Sequence, residues 1–499
     1  MKVAIDVADL DCERIDGTRV YIKNVLKYLG RLSSEDEFFL FHKKDYNESL
    51  QPVEFENYMD RKIGKGFWWT QIKFARALKK MQKEKCGDER LICWMPIQQI
   101  PFLNFQFSIF NFQTIFKFII FKIWNLKTPQ NLRSSDFDPL HREKGGQIYT
   151  SGSSKIKYVV TIHDLAFKLF PKHFPLIDRF KINFYTDIAI KRADKIIAIS
   201  KATKKDIIKL YPKVDADKIQ VVYHGFDREN FRQKFDEREK AEFLQRWGLS
   251  NQRYKKQETN KLQETRNKQI TRNKRQINYK KQETNNDIQI KFESKVENQK
   301  SKVKSRKSKV IICDNKGVEY LLYVGAIQPR KDLITLIRAF ENLKKDKSGK
   351  YANLKLVLAG EIAWKSDLTI KTAQTSEFKN DIIMTGKVSF KELALFYCLA
   401  KIFVFPSLYE GFGIPLLEAM ASETPVVVAD NSSLIEVGGE AVLKFKSKNS
   451  KELTKQLKKL LDNTELQQKM VKRGLKRIKK FSWEKCAKET LKVLKNDWD

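Results

Sequence analysis

The chain has 499 residues, 41% of them hydrophobic, enough for two large packed domains plus insertions. Six scattered cysteines (Cys12, Cys86, Cys93, Cys313, Cys398, Cys486) form no C-x-x-C pair. That excludes a disulfide framework or cysteine zinc site and points to reduced thiols in a cytoplasmic protein. The net charge of +36 suggests nucleic acid or an anionic membrane as partner, but residues 251–310 concentrate 19 Lys/Arg against 6 Asp/Glu and the remaining excess is spread over helices. An even basic surface is more often a solvated face than a binding site.

In chain order, Val3–Val7 is predicted as a first strand; the apolar run is too short, and too interrupted by Asp6, for a signal peptide. Tyr21, Val25, Leu26, Leu29 and Leu32 have helical spacing. Strands are predicted at Glu37–Phe41, Leu91–Trp94, 158–162, Lys195–Ile199 and Gln220–Tyr223, with a helix at Phe74–Met81. A second series follows, with strands at Tyr320–Val324, Leu354–Ala359, Asp381–Met384, Ile402–Phe405 and Val426–Ala429. Helices are predicted at Thr335–Phe340 and Ser389–Leu399, two basic ones within 450–480, and a last one at Ser482–Leu494 capped by Ser482. Strand alternating with helix implies parallel sheets covered on both faces. No clean 20-residue apolar span exists, so no transmembrane helix is predicted.

Two segments break the plan. Residues 250–312 are rich in Lys, Gln, Asn, Thr and Ser, and Tyr-Lys-Lys-Gln-Glu-Thr-Asn occurs at 254–260 and again at 279–285. Such a segment cannot bury enough apolar surface to order itself and is read as a disordered basic insertion. An inert tether is favoured over an RNA or membrane tether, because the basic residues lack aromatic interleaving. Residues 102–126 mix Phe, Ile, Leu and Trp with Asn104, Gln106, Lys117 and Lys122. This is too polar to span a bilayer and too apolar for an ordinary loop; lying on a membrane, covering the first domain and contacting a partner all remain open.

The densest chemistry lies at Glu410–Glu418, Glu-Gly-Phe-Gly-Ile-Pro-Leu-Leu-Glu, between the buried strand Ile402–Phe405 and a short helix. Gly411 and Gly413 permit close backbone approach. Pro415 suits the first helical position. The amides of Leu416 and Leu417 then point out of the helix N-terminus as an anion site, with Phe412 beside them and Glu418 in the first turn, placed to accept two hydroxyl hydrogens. A second loop, Gly325 to Lys331, carries Arg330 and Lys331 between a strand and a helix, where a guanidinium and an ammonium neutralise a diphosphate. His163 follows the strand at 158–162 and so lies at a carboxyl edge, where open parallel sheets bind ligands, with Asp164 placed to orient it.

Phe405–Val428 resembles the Glu-x7-Glu signature of the GT4 glycosyltransferases. The loop at 325–331 resembles their donor-diphosphate loop, and Val160–Leu165 (Val-Thr-Ile-His-Asp-Leu) their sugar-contacting histidine motif. The resemblance implies a GT-B fold: two Rossmann-like, doubly wound parallel-sheet α/β domains facing across a cleft, closing over substrate. The first domain is expected at 1–235, with an apolar insertion at about 102–155 and completion by the C-terminal helix 482–499. The nucleotide-sugar domain is expected at 313–481, after the 250–312 insertion. The resemblance further implies a retaining hexosyltransferase acting in cell-surface polysaccharide synthesis. Its catalytic residues are expected to be His163, Glu410, Arg330 and Lys331, with the donor held by Gly17, Gly325, Gly360, Val388, Phe412, Gly413, Leu416, Leu417 and Glu418. No metal or cofactor is expected beyond the nucleotide-diphosphate sugar itself, and the strings resemble mannosyltransferase members, which puts GDP-mannose first. Expected partners are that donor, a glycan or lipid-linked acceptor and peripheral contact with an anionic membrane at its inner face; nucleic acid is disfavoured. Departures are Ala326 where the family commonly has Arg, Ser422-Glu423 before Thr424, His224 for Asn, and a single glycine in Gly17-Thr18-Arg19. A catalytically impaired homologue that binds RNA or membrane, and a sugar-nucleotide epimerase, are the alternatives.

Overall fold

The computed structural model describes residues 1–12, 16–65, 69–97, 155–250 and 318–495. The apolar stretch at 102–155 and the low-complexity segment at 250–312 lie outside the described residues, apart from Lys155 and Ser250. Two compact units are present: Met1–Gly225 with Phe481–Asp499, and Phe226–Lys480.

The first unit holds strands β1 (Lys2–Asp6), β2 (Glu37–His42), β3 (Tyr58–Lys62), β4 (Leu91–Met95), β5 (Ile156–Ile162), β6 (Lys195–Ala198) and β7 (Ile219–Val221). They pair parallel throughout, in the order β3-β2-β1-β4-β5-β6-β7. β4 is buried along its whole length and β1 for all but its first residue, as strands covered on both faces must be. β3 was not predicted. Its Tyr-Met-Asp-Arg-Lys string is polar and partly exposed because it closes an edge, where charge deters further pairing.

The second unit holds β8 (Tyr320–Val324), β9 (Lys355–Ala359), β10 (Ile382–Gly386), β11 (Ile402–Phe405), β12 (Val426–Ala429) and the short β13 (Leu443–Phe445), again all parallel. The order is β10-β9-β8-β11-β12-β13. The chain therefore winds outward one way from β8 and the other way from β11. The gap between the loops that follow these two neighbours is the topological switch point, where doubly wound sheets take their ligands. Each unit holds an all-parallel sheet, as the sequence implied for it.

The C-terminal helix, Trp483–Lys495, belongs to the first unit. Ser482 caps it, accepting from the Lys485 amide at 3.1 Å. Its entry packs on Gly225 so closely that a Cβ there would lie 2.1 Å from the Trp483 nitrogen. Backbone cannot yield as a side chain can, so Gly225→Ala is expected to cost about 3 kcal/mol as an overpacking change. Its melting midpoint should fall by several degrees, and an unchanged midpoint contradicts the packing. Among the described residues no helix is long and apolar enough to cross a membrane.

Candidate active site

The loops after β8 and β11 meet at the switch point of the second unit. The first leaves the sheet at Gly325. Its φ of +142° excludes a larger residue, as does the 2.8 Å that would separate an added Cβ from the Tyr323 hydroxyl. The loop then turns through Pro329–Lys331, and Asp332, left-handed at φ +49°, opens the helix Leu333–Lys344. The second loop carries Glu410. The two are fastened together, since the Leu408 amide donates to the Arg330 carbonyl at 2.8 Å and Arg330 Nη1 donates to the Tyr409 carbonyl at 2.6 Å.

Between them lies a charged cluster in which Lys331 and Glu410 are buried and Arg330 partly so. Lys331 Nζ is 2.5 Å from Glu410 Oε1, and Arg330 Nη1 is 3.4 Å from Oε2. Lys331 also sits 5.4 Å over the Phe405 ring. Burial alone would push the Glu410 carboxyl up, yet Lys331 and then Arg330 hold it below its ordinary value, so it is ionised. Ser432 and Ser433 anchor its backbone: Ser432 Oγ accepts from the Glu410 amide at 3.0 Å, and Ser433 Oγ donates to the Glu410 and Phe412 carbonyls, each at 2.8 Å. Phe412 itself is buried.

The short helix differs from expectation in detail. It runs Ile414–Ala421 with Gly413, at φ +105°, as N-cap. Pro415 is therefore second rather than first, and Glu418 lies in the second turn rather than the first. The Leu416 amide is not directed outward but donates to the Gly413 carbonyl at 3.1 Å, and Leu417 stands where the i→i−4 ladder begins. The amide positions at the helix entry are thus those of Gly413 and Ile414, and both leucine side chains are fully buried. The cause is one residue of register, set by Gly413, whose left-handed conformation starts the helix early.

Glu418 Oε2 accepts from the Tyr397 hydroxyl at 2.8 Å. Burial raises its carboxyl to about 7, against the Tyr397 hydrogen bond and with help from the Asp227 charge. Tyr397 comes from the helix Phe390–Leu399, and sequence reasoning missed it because nothing local links it to residue 418. Gly360 follows β9 so close to the Gly325 carbonyl that a Cβ would lie 2.1 Å away, and its amide donates to the Gly386 carbonyl at 3.1 Å. These glycines let three strand ends crowd together. Val388 is half-buried in the loop between β10 and the helix Phe390–Leu399.

In the first unit, His163 follows β5. Its Nε2 donates to the Pro96 carbonyl at 2.9 Å, so Nε2 carries the proton and Nδ1 is the acceptor. Burial lowers its pKa, opposed by the Pro96 carbonyl and then Asp164, so the ring is neutral. Asp164 does not orient the imidazole; its carboxylate accepts from the Ala166 amide at 3.0 Å and serves the backbone turn. His224 is buried and stacks on Tyr21 with centroids 4.7 Å apart, 5.5 Å from the His163 ring. Gly17 is not in a loop but is the first residue of the helix Gly17–Leu32. The Asp16 carboxylate caps the amides of Thr18 and Arg19 at 3.2 and 3.3 Å. Arg19 is engaged by Asp16 at 2.5 Å and Asp9 at 3.5 Å, which ties it to its own loop.

Residues 304–477 match the family model described as glycosyl transferases group 1, and residues 111–230 match glycosyltransferase family 4. The chain is thus similar to group 1 glycosyltransferases in its second unit and to glycosyltransferase family 4 within its first. Among the curated relatives of this chain, O-antigen chain mannosyltransferase B of Escherichia coli is 33% identical over 176 residues, covering 35% of this chain and 45% of that protein. O-antigen chain mannosyltransferase RfbU of Salmonella typhimurium is 26% identical over 271 residues, covering 54% of this chain and 51% of that protein. The chain thus spans about half the length of these relatives. A glycosyltransferase structure from Rickettsia africae superposes with a TM-score of 0.58 at 14% identity, covering 99% of each chain, which supports the GT-B fold.

Proposed function

We propose that this chain is a retaining hexosyltransferase that moves a sugar, mannose first among candidates, from a nucleotide-diphosphate donor to a glycan or lipid-linked acceptor in cell-surface polysaccharide synthesis. The observation that carries the reading is the largely buried Arg330–Lys331–Glu410 cluster at the switch point of the second unit. Two cations held this close to a strand edge, with one carboxylate between them, are prearranged for a diphosphate. Glu410 keeps them charged and in place before the donor arrives, then faces the hexose. Arg330 and Lys331 stabilise the negative charge that grows on the leaving diphosphate, a task needing no metal. Glu418 accepts from the ribose hydroxyls. His163, neutral with Nδ1 as acceptor, is assigned to the transferred sugar.

The O-antigen mannosyltransferase relatives support the sugar and the pathway class. In this reading the protein works in the cytoplasm, at the inner membrane face. A thermal-shift screen against UDP, GDP, ADP and TDP sugars tests it. Saturation to about a hundred times Kd should stabilise by about 2.7 kcal/mol, with GDP-mannose giving the largest shift. Proton NMR of the product should show the anomeric configuration of the donor preserved. No shift with any nucleotide sugar defeats the proposal, and an inverted product defeats its stereochemical part.

A further inference from the structure

The helix Leu176–Arg192 of the first unit buries Thr186, Ala189 and Ile190. It also presents Leu176, Ile177, Phe180 and Phe184 at 60, 67, 39 and 42% exposure. Single exposed apolar residues are ordinary. Four at i, i+1, i+4 and i+8 share one face of a helix and form a patch. Exposed basic residues frame it: Lys172 just before the helix, Lys181 beside the patch, and Lys191 and Arg192 in the last turn. Asp178 is the one exposed acid of the helix, since Asp187 is only partly exposed and pairs with Lys168 at 2.7 Å.

The charge decides between occupants. A second copy would bring the same lysines and another net +36 to the contact, and like charges would repel. Nucleic acid would satisfy the lysines and stack on Phe180 and Phe184, but it offers no apolar medium for Leu176 and Ile177, the two most exposed of the four. An anionic bilayer satisfies both sets, taking the aliphatic and aromatic side chains at the headgroup–acyl boundary and the ammonium groups at its phosphates. The geometry points to this helix as a docking surface for an anionic phospholipid bilayer, lying in the interface with Leu176, Ile177, Phe180 and Phe184 turned into it. The surface is independent of the transfer chemistry, so its failure and that of the proposed reaction are separately visible.

Flotation of the full chain with phosphatidylglycerol/phosphatidylcholine vesicles, and with phosphatidylcholine alone, tests the assignment. The wild type should float with the anionic vesicles and not with the neutral ones. Leu176→Ser/Ile177→Ser/Phe180→Ser and, separately, Lys181→Glu/Lys191→Glu should each lower the bound fraction about tenfold at equal lipid. Because these positions are exposed, both variants should melt like the wild type; if the serine variant melts lower, the charge-reversal variant decides. The assignment is overturned if the wild type ignores anionic vesicles or binds neutral ones equally. It is also overturned if the deciding variant floats like the wild type, which would place the lipid contact elsewhere. Concentration-dependent dimerisation that the serine changes abolish while vesicle binding persists would assign the patch to a second copy instead.

Discussion

Lys331→Ala should reduce kcat by about 10²–10³, the usual loss when one preorganised donor to a developing anion is removed. Donor affinity should change less, because Arg330 and the helix entry remain. Stability should fall as well. Glu410 is buried between two cations, and removing the one at 2.5 Å leaves its carboxylate to Arg330 alone at 3.4 Å. Breaking a buried pair from one side costs about 3–5 kcal/mol in the extreme, and Arg330 should keep the loss below that range. Kinetics measured well below the variant's melting midpoint separate the two effects. Intact turnover in a folded Lys331→Ala protein would remove the diphosphate role. The pH sign follows from the lowered Glu410 carboxyl. Its ionised, paired form stabilises the fold above the ordinary carboxylate pKa, and that contribution disappears as pH falls through the lowered value.

The second large effect concerns Glu418. Glu418→Ala should weaken donor binding about 10- to 100-fold, since hydrogen bonds to a charged acceptor are worth about 1.5–3 kcal/mol each. Its pH dependence makes the test specific. The folded carboxyl stands at about 7, raised by burial, so below that pH it is protonated. Ribose hydroxyls donate best to the carboxylate, so wild-type affinity should drop as pH falls below 7, by up to about tenfold per unit. Glu418→Gln should bind weakly and lose that slope. Titrating donor affinity calorimetrically between pH 6 and 8 for both proteins is the measurement. A wild-type affinity flat across that range means that Glu418 does not receive the ribose.

Much of the sheet architecture was readable locally. β8, β11 and β12 begin and end where predicted, because continuous apolar runs bounded by polar or turn residues have only one good placement in a covered parallel sheet. The cap at Ser482 was equally plain, since a hydroxyl satisfying an amide three residues on is short-range chemistry. β3 and β13 were missed because edge strands need no apolar run. The helix Leu176–Arg192 was missed because its apolar residues occupy an exposed face as well as a buried one, which blurs the helical stripe.

The site divides in the same way. The residue types and their spacing, Glu410 to Glu418 and Arg330 beside Lys331, were sufficient to suggest the family resemblance, because the strand–turn–helix unit that presents them is contiguous in the chain. Which partners they meet was not. Glu410 and Lys331 are 79 positions apart, Tyr397 and Glu418 are 21, and Gly225 meets Trp483 from the far end of the chain. Hydrogen bonds, ion pairs and burial act over a few ångströms of space whatever the separation in sequence. Only the folded chain could therefore decide that Glu410 is held ionised, that Glu418 titrates near neutrality, and that the helix entry is offered by Gly413 and Ile414.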